Sequence, residues 1–239
     1  MVVAYFKRGL LAGGVAGLAY GLFMATIANP LVGYLEHAQH GHSHAGEAGS
    51  VVAESTTAIV SVGSGFLWAI LLGGCFGIAL YVLEPALPGG ATTRRLVLAA
   101  GGFLTVSVTP WLVLPPFAPG AEQVLGTDTR FVIYAGLVAL GAVLAASSVL
   151  VYNRLESRGR GLAVVAGALP VVAAVVVLPA VSPTLVHHPE LSADLVAAYR
   201  AMVVLSQGSI WLLIAATFGW LQRRGGAETA VSDTPQAMT

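Results

Sequence analysis

The sequence predicts an all-α, polytopic membrane protein: a six-helix transmembrane bundle with both termini in the cytoplasm. Three observations carry this. Of 239 residues, 56% are hydrophobic and only 9% are charged, against roughly 25% charged in a soluble domain, and the mean hydropathy is +0.83. Apolar windows long enough to cross a hydrocarbon core as helices recur six times. Lysine and arginine fall almost entirely on one side of the connections between them.

The windows are residues 9–33, 60–83, 96–114, 131–152, 162–181 and 196–221. The connections are too short to hold another globular unit, so residues 1–224 read as one transmembrane domain. Residues 225–239 are polar and rich in small side chains and read as a disordered cytoplasmic tail. Lys7 and Arg8 precede the first window in the manner of a signal peptide, but its apolar core is too long for one and further spans follow. It reads as a retained first helix.

Lys7, Arg8, Arg94, Arg95, Arg154, Arg158, Arg160, Arg223 and Arg224 share one side of the six-span arrangement. By the positive-inside rule that side is cytoplasmic in a multi-pass plasma-membrane protein. The histidines then all face outward. His37, His40, His42 and His44 follow Glu36 in the first external loop, and His187 and His188 occupy the third. Glu36, Glu47, Glu54, Glu122, Asp128, Glu190 and Asp194 accompany them. Neutral imidazole beside carboxylate is a donor set for zinc, nickel, cobalt or copper, whereas a short histidine tract is otherwise a tolerated polar linker. Glu36, His37, His40, His42, His44, His187 and His188 are the candidate metal ligands.

Within the spans, Gly9, Gly13, Gly17 and Gly21 repeat every four residues and form a small-residue ridge for close helix packing. The first span is expected to end at Asn29-Pro30, where Asn29 is either a helix-end cap or a ligand oxygen for an entering ion. Glu84 stands at the cytoplasmic end of the second span, as an exit carboxylate or any interfacial acid would. The third window runs into Pro110, Pro115, Pro116 and Pro119, which is expected to form a non-helical outer cap, because proline lacks a donor and restricts the residue before it. Arg200 and Gln207 lie seven residues apart in the last span, and so on one face. Arg200 is either a pathway group or a snorkelling partner for Asp194.

No phosphate-binding glycine-lysine loop, His-Glu-x-x-His motif, paired cysteine or nucleophile elbow is present, so the chain does not read as an enzyme. Eleven basic and eleven acidic residues give no net charge and no footprint for nucleic acid. The partners expected are the lipid bilayer and a divalent metal ion.

Several of these features together resemble the CbtA family of proposed cobalt transporter subunits. The glycine-rich first span is followed by a proline and by Leu35-Glu36. Pro110, Leu114-Pro115-Pro116 and Pro119-Gly120 are followed by Arg130 at the next span. The last span reads Pro189-Glu190-Leu191, Arg200, then Ile210-Trp211. The family commonly carries aromatic residues just after the arginine, where this chain reads Phe131-Val132-Ile133-Tyr134, and its histidine insert is longer than usual. The resemblance implies a permease subunit for uptake of cobalt, helped by a small single-span CbtB-type subunit. Imidazole and carboxylate also suit nickel or zinc. Such a permease holds no permanent cofactor and can work as a homo-oligomer. The other reading is a metal-binding receptor or assembly subunit of a membrane complex that conducts nothing itself.

Overall fold

The computed structural model describes residues 1–39, 47–117, 121–182, 186–187 and 192–232. His40, His42, His44 and His188 lie outside the described residues. The helices are α1 (Val2–Phe23), α2 (Asn29–Gln39), α3 (Glu47–Leu83), α4 (Ala91–Phe103), α5 (Thr109–Trp111), α6 (Thr127–Leu155), α7 (Arg160–Val181) and α8 (Ala193–Ser232). A π-helical turn, Met24–Ala28, fuses α1 to α2, and a second, Leu104–Val108, fuses α4 to α5. Six continuous helical rods result among the described residues. Five of them contain stretches long and apolar enough to cross a membrane, residues 2–35, 59–83, 127–158, 160–181 and 193–225. The remaining rod, residues 91–111, is about 30 Å long at 1.5 Å per residue.

Lipid-facing surface distinguishes this bundle from a soluble one. Leu11, Leu18, Leu22, Ile59, Phe131, Val164, Val176 and Leu205 are all more than half exposed, which water would not tolerate on this scale but a bilayer does. Without a hydrophobic drive between helices, close backbone packing must hold the spans together. The glycine ridge does this. A Cβ on Gly9 would run into the Gly73 carbonyl oxygen, one on Gly13 would lie 2.8 Å from Ile70 Cα, and one on Gly21 would lie 3.2 Å from Val62. The ridge of α1 therefore beds directly against the backbone of α3.

Helix α8 lies between α1 and α4, while α6 packs on the π turn after α4 and on α7. The neighbours thus run α3, α1, α8, α4, α6, α7. A buried cluster including Ala12, Ala16, Ala69, Phe76, Ile214 and Phe218 fills the centre. Phe76 and Phe218 meet edge-on with ring centroids 5.7 Å apart.

Two expectations from proline are corrected. The first span does not end at Asn29-Pro30, because helix continues to Gln39, and the third passes through Pro110 to Trp111 before stopping. Both use one device. The Asn29 N–H bonds to the Met24 carbonyl and the Thr109 N–H to the Leu104 carbonyl, five residues back instead of four. The widened turn makes room for the ring that follows. Pro110 withdraws the donor that Val106 would otherwise receive, and the Tyr134 hydroxyl of α6 donates to that carbonyl at 2.9 Å instead. Tyr134→Phe is expected to cost about 1–3 kcal/mol, the penalty of an unsatisfied buried carbonyl. Thermal unfolding in detergent, with Tyr152→Phe as the control, checks this.

The proline segment is non-helical from Leu112 to Phe117, as expected. The last helix also runs to Ser232, past Gly225 where the polar tail is expected to begin. Ala227, Glu228, Thr229 and Ala230 lack the proline or glycine that would stop it.

Candidate functional site at the histidine-bearing end

At the histidine end, Glu36 and His37 stand on the last turn of α2 and not in a loop, a consequence of the helix passing through Pro30. The connection to α3 is therefore confined to residues 40–46. The second and third connections at this end are tied together by a short antiparallel pair, β1 (Glu122–Gln123) with β2 (Val186–His187), in which Glu122 is opposite His187. The register thus sets one candidate ligand, His187, across from an acid that sequence reading left out of the ligand set. Among the described residues, no group of three or more His, Cys, Asp or Glu could hold one metal ion.

The proline segment is gripped from two sides. Arg200 Nε of α8 donates to the Pro116 carbonyl at 3.3 Å, and the Arg130 guanidinium sits 5.0 Å from the centre of the Phe117 ring. The bond to the Pro116 backbone gives Arg200 a structural role at the rim.

Below the rim, Asn29 accepts a hydrogen bond from Ser61 at 3.1 Å. Its Nδ2 is buried without a partner, as are Thr109 Oγ1, Ser148 Oγ and Trp211 Nε1. Asn29 and Thr109 are the two residues that immediately precede the bridged prolines. Gln207 meets the Tyr20 hydroxyl across the α1–α8 seam. Beside that contact the seam opens into a mostly apolar groove of about 510 Å³ lined by residues including Ala16, Phe23, Met202 and Ser206. At the opposite end, Glu84 accepts from the Tyr5 hydroxyl at 2.8 Å and lies 3.7 Å from Arg94.

Among the described residues, the arrangement offers histidine- and acid-bearing backbone at one end, a seam of small and neutral polar groups, and at the other end a carboxylate, Glu84, beside Arg94. A family profile described as "Probable cobalt transporter subunit (CbtA)" matches residues 2–223. The chain belongs to the CbtA family. No curated protein and no solved structure matches it. Membership makes this chain a membrane protein of a transporter-subunit family, with a metal as substrate and a complex as setting.

Sequence reading missed three contributors. Tyr134 was hidden because its partner, the Val106 carbonyl, carries no side-chain signal. Arg95 and Gln222 bond to each other at 2.9 Å across 127 residues. Arg95 had counted only as one of the positive-side charges. The one available signal was its neighbour: two successive arginines point to different faces of a helix, so one must turn toward the bundle.

Proposed function

We propose that this CbtA chain is the permease subunit for uptake of a divalent transition metal, cobalt in the first place. The observation that carries the reading is the family match across residues 2–223. On this reading ion capture falls to Glu36, His37, His40, His42, His44, His187 and His188 on the outer side. The opposition of Glu122 to His187 supports adding that acid to the set. On this reading the histidine end faces outward across the plasma membrane and the termini are cytoplasmic, in keeping with the nine basic residues at the other end.

Imidazole and carboxylate are exchangeable donors for a divalent transition metal. They do not by themselves select cobalt over nickel or copper, which such ligands bind at least as tightly. Asn29, against Ser61 of α3, and Gln207, in the α1–α8 seam, offer neutral oxygen donors, and a small single-span subunit or a second copy completes the assembly. A metal-binding receptor that conducts nothing remains the competing reading. It is favoured by the neutral chemistry of the Asn29–Ser61 and Tyr20–Gln207 contacts, which supply no carboxylate for a dication in transit.

Purified protein in vesicles, with and without a single-span partner, distinguishes the two. The permease reading expects saturable cobalt entry under a proton gradient or membrane potential. Stoichiometric cobalt binding with vesicles that stay metal-tight under every gradient, partner included, would establish the receptor instead.

A further inference from the structure

The end of the bundle remote from the histidines carries a second polar constellation that ion capture does not use. Tyr5 of α1 donates to Glu84 beyond α3 at 2.8 Å. Gln222 Nε2 of α8 donates to the Tyr5 hydroxyl oxygen at 3.4 Å. Arg95 of α4 donates through Nη1 to Gln222 Oε1 at 2.9 Å and through Nη2 to Thr92 at 3.1 Å. Arg94 completes the circuit at 3.7 Å from Glu84. One chain of contacts therefore closes across α3, α1, α8 and α4.

This closure is built into the sequence of α8. Arg95 is only 6% exposed, and it fits because position 219 is glycine: a Cβ there would stand 2.7 Å from its Nε and 2.9 Å from its Cζ. Burying a guanidinium whose hydrogen-bond partners are neutral is costly. One of its donors is satisfied by Gln222 of α8, which also reaches Tyr5 of α1, and another by Thr92 on its own helix. The contact sites along the α1–α8 seam are also ordered. Tyr5 meets Gln222 and, fifteen residues on, Tyr20 meets Gln207, fifteen residues back. Between these two rungs lie Ala12, Ala16, Ile214, Ala215 and Phe218, all buried. The groove surrounds the second rung, from Ala16 to Phe23 on α1 and from Ala198 to Leu213 on α8, and so opens the half of the seam nearer the histidines. The seam is thus open toward the histidines, packed in the middle and bolted at the basic end.

We propose that Glu84 is the carboxylate through which the divalent cation leaves at the basic end, and that Tyr5 and Arg94, with Arg95 and Gln222 bracing them, close that exit by occupying Glu84. The proposal rests on the permease reading. Its logic is competition at one carboxylate. A dication at contact distance attracts Glu84 more strongly than one guanidinium does, so its arrival releases Tyr5 and Arg94 and loosens the tie through Gln222. With the exit closed, Arg94 and Arg95 present positive charge where a cation would pass, which holds the barrier high.

The test reads exposure of the seam independently of flux. In a Cys75→Ser background, which removes the sole cysteine, Ala215→Cys places a thiol at a position 2% exposed. An impermeant maleimide is applied from the basic face of vesicles sorted by orientation. Labelling is expected to be slow, to rise at least tenfold on adding Glu84→Gln, and to rise several-fold with cobalt(II) only while Glu84 is present. Labelling rates unchanged by both Glu84→Gln and cobalt overturn the latch. Should Ala215→Cys fail to fold, Ala12→Cys reports from the same buried cluster. Cobalt flux is measured in the same vesicles. Flux in Glu84→Gln equal to that of the parent overturns the exit role of Glu84. Labelling that responds as expected without flux in any variant supports the latch and counts against the permease reading alone.

Discussion

Alanine at Gly13 or at Gly73 is expected to cost about 3 kcal/mol, at the upper end of what overpacking imposes, and to leave little folded protein in detergent. The reason is the identity of the atoms in the way. A Cβ on Gly73 would lie 2.7 Å from both the Cα and the nitrogen of Gly13, and one on Gly13 would lie 2.8 Å from Ile70 Cα and 3.1 Å from the Ala69 carbonyl carbon. Main-chain atoms cannot rotate aside, so α1 and α3 would have to separate along their length. Separation forfeits the dispersion contacts that hold helices together in lipid, where no hydrophobic drive compensates. Gly14, one residue from the ridge, has nothing within 4 Å of a Cβ, and Gly14→Ala is expected to be neutral or mildly stabilising. Monodispersity by size exclusion and the midpoint of thermal unfolding separate the three variants. Equal midpoints for Gly13→Ala and Gly14→Ala would contradict the packing described.

Replacing His37, His40, His42 and His44 together by alanine is expected to lower cobalt accumulation at limiting external metal by about tenfold or more, corresponding to about 1.4 kcal/mol or more of lost capture, while leaving expression and unfolding unchanged. The two halves of this expectation have separate grounds. Removing several imidazoles strips donors that cobalt prefers over water. The cluster that holds α1, α3 and α8 together is built from Ala12, Ala16, Ala69, Phe76, Ile214 and Phe218, which these substitutions leave unchanged. The deficit should shrink as external cobalt is raised, since capture then ceases to limit entry. Accumulation and metal affinity both equal to those of the parent would mark the tract as a linker and leave His187, His188 and Glu122 to carry capture.

The bundle was legible in the sequence because length and apolarity determine what can cross a membrane, and the period-four glycines marked α1 as a close-packing surface, within the bundle or against another subunit; that its partner is α3 is a tertiary fact. Proline was read with the physics of soluble helices, and there the reading failed. Asn29-Pro30 and Thr109-Pro110 do interrupt the hydrogen-bond ladder, but a π turn absorbs each interruption, and at Pro110 a tyrosine on another helix satisfies the carbonyl that is freed. Such a partner is a tertiary fact without a local signature. Arg200 illustrates the opposite limit. Its cost inside an apolar segment was plain, yet its bond to the Pro116 carbonyl depends on where a segment 84 residues earlier comes to rest. The capture residues were legible as chemistry. Only Glu36, His37 and His187 acquire a place in the fold, and the pairing of Glu122 with His187 followed from a strand register too short to announce itself in sequence.

The π turn between α1 and α2 also changes how positions beyond it must be counted. Each residue of an α-helix advances about 100° around the axis, and a π turn absorbs one residue more than an α turn does. A helical wheel extended from the glycine ridge of α1 past Met24–Ala28 therefore misassigns every later position by roughly a quarter turn. Leu35, near the end of α2, therefore takes the angular place that straight counting from Gly21 would give to a sequence neighbour. Designers who graft, cross-link or scan the mouth of this protein should reset the angular origin at Asn29.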